Sequence, residues 1–151
     1  MKSLGLRTYR DKIVWATCEG GSRASAVIAA HGTLQIPTSD RGEQLAWVRQ
    51  EIAALVVDVK PDTVVLCPTE GTTVSNAVVE RAQVDGVVLE SLHAVALPAQ
   101  VRKSATIRAS YGCQTKAQLT AALDTIPGLA AIAPTADRRE PAAAAVSALP
   151  A

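Results

Sequence analysis

The hydrophobic period of this chain first changes near residue 39, and that change limits the folds open to it. Before it, "KSLGLRT" (2–8) and "KIVWATCEG" (12–20) read as strands around a polar turn whose charges are Arg10 and Asp11. "SRASAVIAAHGTLQIP" (22–37) reads as a third strand ending near Pro37. Three extended runs with short turns predict an antiparallel meander. After it, Leu45, Val48, Ile52, Leu55 and Val56 recur at helical spacing. Ser39 or Asp40 is placed to cap that helix, Glu43 has capping-box spacing from Asp40, and Pro61 stops it.

From there helix and strand alternate. "DTVVLCP" (62–68) reads as a buried strand. "GTTVSNAVVERAQVDG" (71–86) reads as a helix closed by Gly86. "VVLESLHAVALPA" (87–99) opens as a strand, with "HAVALPA" a second extended piece. "CQTKAQLTAALDTI" (113–126) and "REPAAAAVSAL" (139–149) read as the last two helices. The order βββ, α, β, α, β, α, α predicts one α/β domain over residues 1–151: an antiparallel meander continued by parallel strands into a mixed sheet with flanking helices. A core of Ala, Val and Leu with no Phe suits such a sheet.

Net charge is +1, so nucleic-acid binding would need a local patch. The stretch from Leu97 to Leu123 has no acid and holds Arg102, Lys103, Arg108 and Lys116. Lys and Arg on an edge suit sequence-independent phosphate contact, and Tyr111 would add a stacking face. The alternative is a solvated basic loop before a helix. Cys18, Cys67 and Cys113 include no C-x-x-C pair, which argues against zinc and redox motifs. Cys67, in an apolar strand, reads as a small buried hydrophobe. His31 and His93 lack ligand spacing, and "CEGGSR" reads as a hairpin turn without the P-loop lysine. Trp15 and Trp47 read as core or interface residues. Charges at Arg7, Arg10, Asp11 and Lys12 interrupt any signal-peptide core, and no apolar run reaches membrane-span length. The expected compartment is the cytoplasm, with no membrane partner.

Two acids, Asp137 and Glu140, precede the alanine run in "TADRREPAAAAVSALP". Read locally, they are helix-start acids favoured by the helix dipole. The chain from Lys60 onward adds a second reading. "KPDTVVLCP", the helix after it, "ALPAQVRKSATIRASYGCQTKAQL" and "DRREPAAAAVSAL" together resemble the RuvC-type Holliday-junction resolvases of the ribonuclease H-like superfamily. The resemblance rests on a P-D-x-x-x-x-E strand, a V-K element (here Val101-Arg102), a K-x-Q-V helix start (here "KAQL") and a final D-x-x-D helix.

That resemblance implies a ribonuclease H-like fold, with four acids gathering two divalent cations at one sheet edge. Paired metals stabilise both the attacking and the leaving oxygen of a phosphodiester. Carried over by position, the first-strand Asp falls at Arg7 and the strand Glu at Cys67, and only Asp137 and Glu140 remain acidic. A fixed guanidinium repels Mg²⁺ and is suited to pair with Asp137 or Glu140. The resemblance also turns the basic positions, Lys116 among them, toward nucleic-acid phosphates. The expectation is a catalytically degenerate RuvC-like binding or assembly module, acting on nucleic acid or as a dimer like that family, with no cofactor. An alternative is an active nuclease whose Mg²⁺ or Mn²⁺ is held by Asp137, Glu140, Glu70 and Asp11. A third reading is a protein-binding module with an exposed apolar face on the last helix.

Overall fold

The computed structural model describes residues 1–71, 73–129 and 136–151, with Ala136 and Asp137 described by backbone alone. Three antiparallel strands come first: β1 (Lys2–Thr8), β2 (Lys12–Glu19) and β3 (Val27–Gln35). A short 3-10 turn, Arg23–Ser25, precedes β3. Helix α1 (Arg41–Val59) leads to β4 (Thr63–Cys67), which lies parallel to β1. Helix α2 (Asn76–Ala94) leads to the short β5 (Ala99–Val101), and α3 (Ser104–Ser110), α4 (Lys116–Leu123) and α5 (Ala136–Ser147) follow. The strand order is β3-β2-β1-β4-β5, the mixed α/β sheet expected from the period change.

Local chemistry accounts for most of the boundaries. The Asp40 carboxylate accepts the Glu43 amide at 3.1 Å and opens α1. Lys60 ends that helix in the left-handed region, at φ 52°, immediately before Pro61. Thr115 and Gln118 form a reciprocal capping box at the start of α4.

The sheet carries a core on each face. Alternation sends Leu4, Leu6, Ile13, Val64 and Leu66 to the face covered by α1 and α2. Ala16, Cys18, Val65 and Cys67 meet α5 through Ala142–Ala145 and Val146. The alanine run of the last helix is therefore buried, and α5 presents no exposed apolar face there, contrary to what the protein-binding reading looked for.

Two sequence expectations are corrected. Helix α2 does not stop at Gly86 but runs on through Ala94, so the strand expected at Val87 is helix. Val84, Val88 and Leu92 are buried at helical spacing across Gly86, and that burial outweighs the glycine's ~1 kcal/mol helix penalty. The extended piece expected from His93 begins only at Ala99. Helix α3, seven residues long, falls in a stretch not expected to be regular.

Candidate functional site

The site is built where β1 and β4 end beneath the start of α5. Arg7 and Cys67 are register partners across the parallel β1–β4 ladder. Both face α5, which crosses β1 at Gly5. A β-carbon on Gly5 would lie 1.9 Å from the Pro141 carbonyl oxygen, so only glycine permits this approach. The Ser3 hydroxyl fixes the same crossing by donating to the Ala145 carbonyl at 2.6 Å.

The close crossing brings Glu140 against Arg7. Arg7 Nε and Glu140 Oε2 lie 3.0 Å apart, with the arginine side chain 12% exposed. The contact is an ion pair without hydrogen-bond alignment, since neither atom has a hydrogen-bond partner. Arg7 Nη1 donates to the Pro68 carbonyl at 3.3 Å. Burial, the largest single influence, works against the Arg7 charge, but the Glu140 carboxylate together with Cys67 and Tyr9 holds the guanidinium above its ordinary range. Burial pushes the Cys67 thiol up to about 12, only partly offset by Arg7. Cys67 is thus a buried neutral thiol rather than a nucleophile near pH 7.

A second layer ties the strand ends to α2. Asp85, 9% exposed, accepts from the Thr8 hydroxyl and from the Thr69 amide, the latter at 2.8 Å. One turn earlier, Arg81 Nη2 donates to the Thr8 carbonyl at 2.9 Å. Arg7, Lys12 and Arg81 all stand against the Tyr9 ring, 5.0–5.8 Å from its centroid. Burial, reinforced by the nearby Arg7 charge, lowers the Arg81 pKa. None of Tyr9, Arg81 and Asp85 was picked out from the sequence. The bonds that bring Arg81 and Asp85 to Thr8 span more than seventy residues along the chain, and no local pattern marks them.

The other anticipated residues are distributed as follows. Glu70 accepts from the Ser104 amide at 2.6 Å and its hydroxyl at 3.1 Å, and so caps α3. That amide bond, more than any other cause, lowers the Glu70 pKa. Asp11 is exposed in the β1–β2 turn, where its carbonyl accepts from the Ile36 amide. The side chain of Asp137 lies outside the described residues. Among the described residues, no three His, Cys, Asp or Glu side chains form a group able to hold a metal ion. Glu140, Glu70 and Asp11 are therefore not gathered into the alternative ligand set. The described residues at the strand ends do not fit Mg²⁺ or Mn²⁺, because a guanidinium occupies the carboxylate's surroundings and the neighbouring thiol is a soft ligand suited to other metals.

Beside the ion pair lies a cleft of about 110 Å³ between α3, α4 and α5. Ile107, Leu119, Leu123 and Ala143 form its apolar wall, and Arg108 and the exposed Lys116 add positive charge. Cys67, Arg139 and Glu140 line its inner end. Arg139, adjacent to Glu140 in "DRRE" and so visible in the sequence, holds Asp124 at 2.7 Å. Two expected phosphate contacts lie elsewhere. Arg102 donates to the Ser147 carbonyl at 2.5 Å and to Gln100, tying β5 to the end of α5. Lys103 is exposed at the N-cap of α3. Tyr111 turns its hydroxyl inward to the Ala143 carbonyl at 2.8 Å and packs on the core, so it offers no stacking face.

Comparison with known proteins decides the fold. No family model matches the sequence, and no curated protein does. RuvC of Thermus thermophilus superposes with a TM-score of 0.82 at 13% identity, over 97% of this chain and 92% of that one. The same protein in complex with a Holliday junction substrate gives 0.81 at 11% identity, over 97% and 91%. The yeast mitochondrial Holliday junction resolvase gives 0.73 at 8% identity, over 96% and 77%. The fold is the RuvC-like ribonuclease H fold. The RuvC-like sheet here carries Arg7 and Cys67 side by side at the strand ends. Among the described residues, no helix is long and apolar enough to cross a membrane.

Proposed function

We propose that this chain is a nucleic-acid-binding module on a RuvC-like fold that works without metal and without cleaving its target. The observation that carries the reading is the Arg7–Glu140 ion pair at 3.0 Å, seated at the ends of β1 and β4. It neutralises a carboxylate that a divalent ion would need, and it places a fixed cation in the ion's way. Support for a nucleic-acid target comes from the cations of the adjacent cleft, Arg108 and Lys116, and from a superposed RuvC that is held on a junction substrate. Binding of this kind is carried by phosphates, so it weakens steeply with salt.

The test is a four-way junction offered to the wild type and to an Arg7→Asp, Cys67→Glu double variant, with and without Mg²⁺ or Mn²⁺. The wild type is expected to bind the junction in EDTA and to leave it intact at millimolar metal. Metal binding is expected only in the double variant. Cleavage by the wild type would overturn the reading. So would binding that is absent even at low salt.

A further inference from the structure

We infer that the cleft between α3, α4 and α5 takes a single unstacked nucleobase, with the attached phosphate on Arg108 and Lys116. This rests on the nucleic-acid reading and adds a discrete ligand site to it. Three features point to that ligand class. The wall made by Ile107, Leu119, Leu123 and Ala143 is apolar, and it continues into the buried core at Ile107 and Leu123, each 3% exposed. The positive charge lies on the neighbouring cleft residues Arg108 and Lys116, the arrangement an amphipathic anion requires. Size is the third. Sites for drug-sized ligands run to roughly 300–1,000 Å³, whereas this cleft holds about 110 Å³, room for one planar heterocycle.

Arg139 and Glu140 line the inner end of the cleft, but Glu140 is already ion-paired with Arg7 at 3.0 Å and Arg139 with Asp124 at 2.7 Å, so Arg108 and Lys116 are the cleft cations that meet a ligand's phosphate. Extruding a base from its stack costs a few kcal/mol in a duplex and least where the base is already unpaired, so the expected target is a single strand or an unpaired position.

The experiment uses tetranucleotides in EDTA, one with a central 2-aminopurine and one with an abasic residue at that position. The wild type is expected to bind the first at least about tenfold more tightly, a difference of about 1.4 kcal/mol, and 2-aminopurine fluorescence should rise as the base leaves its stack. Thr120 is exposed on the cleft, and Thr120→Trp should erase the tenfold preference while abasic binding persists. Lys116→Gln should weaken both oligomers alike. Equal affinity of the wild type for the two oligomers overturns the inference and leaves the nucleic-acid reading standing, as does a preference that survives Thr120→Trp. If neither oligomer binds, a free nucleoside monophosphate decides. Shifts in the methyl signals of Ile107, Leu119 and Leu123 would keep the cleft as a nucleotide site and remove the nucleic-acid reading. Unmoved methyl signals would overturn both.

Discussion

The two faces of the sheet are filled in different ways. On one, Leu4, Leu6 and Leu66 meet Val48, Ile52, Val88 and Leu92 of α1 and α2, and branched side chains fill the gap. On the other, four consecutive alanines of α5 lie over Gly5, and backbone rather than side chain fills it. Large side chains stabilise through apolar area, at ~25 cal/mol per Å² buried. Small ones allow a helix to come close, which fixes where its first turn sits. That is why Glu140 reaches Arg7 on the α5 face, while α2 supplies only the supporting residues Arg81 and Asp85. One face supplies stability and the other supplies position.

The sharpest way to break this contrast is to damage each face once. Gly5→Ala places a β-carbon 1.9 Å from the Pro141 carbonyl oxygen, and neither backbone can yield without moving α5. A loss of at least about 3 kcal/mol is expected, at the upper end for overpacking. Leu92→Ala on the other face should cost a comparable ~2–5 kcal/mol through its cavity. Denaturant unfolding reads both losses. Alkylation separates them, because Cys67 is buried beneath α5 with a thiol pKa of about 12. In native protein at pH 8, Gly5→Ala should expose Cys67 to iodoacetamide, and Leu92→Ala should leave it protected. Equal labelling in the two variants would mean that the faces are not independent.

Next in size is the ion pair. Removing one partner of a fully buried pair costs ~3–5 kcal/mol. The Glu140 side chain is 33% exposed, so solvent screens part of that loss. Glu140→Gln is expected to destabilise by about 1–2 kcal/mol in urea unfolding. The Arg7→Met, Glu140→Leu double variant should recover most of it, because apolar replacement of a pair is often neutral. A double variant less stable than Glu140→Gln would show that the pair holds α5 in place by more than mutual neutralisation.

Sequence reading succeeded where the determining contacts are local or periodic. Leu4 and Leu6 alternate into one core, and Asp40 caps α1 through an amide three residues away. The position of Arg7 beside Glu140 was legible only through the family resemblance, which placed both at one sheet edge. Helix α3 was not, for a physical reason. Its own cap residue, Lys103, makes no side-chain capping bond, and the Ser104 amide is satisfied by Glu70, 34 residues earlier. Gly86 misled in the opposite direction. A glycine near the end of a periodic run reads as a stop, yet nothing lies within 4 Å of where its β-carbon would stand. Gly86→Ala therefore tests the α1–α2 face from outside. It should stabilise the protein by about 0.5–1 kcal/mol, since alanine favours the helix and narrows the unfolded ensemble. An unchanged or lower melting temperature would mean that the surface of α2 is more constrained than its packing shows.

The smallest effect concerns how α3, a wall of the cleft, is held to β4. Glu70 has its pKa lowered by the Ser104 amide, and a carboxylate lowered on folding stabilises only while ionised. Its contribution is complete above the ordinary glutamate value of 4.5 and is lost as pH falls through the lower folded value. Because Glu70 is exposed, the contribution stays below about 1 kcal/mol. Global unfolding is a poor reporter of so small a change, whereas the Ser104 amide is a direct one. Its protection from hydrogen exchange, corrected for the intrinsic pH dependence, should decline below pH 4.5 in the wild type. In Glu70→Gln it should be lower throughout and flat. The buried amides of α2 should show neither change, because no titrating carboxylate caps that helix: its N-cap is Ser75. A parallel decline in both helices would instead trace the acid loss to the whole sheet edge.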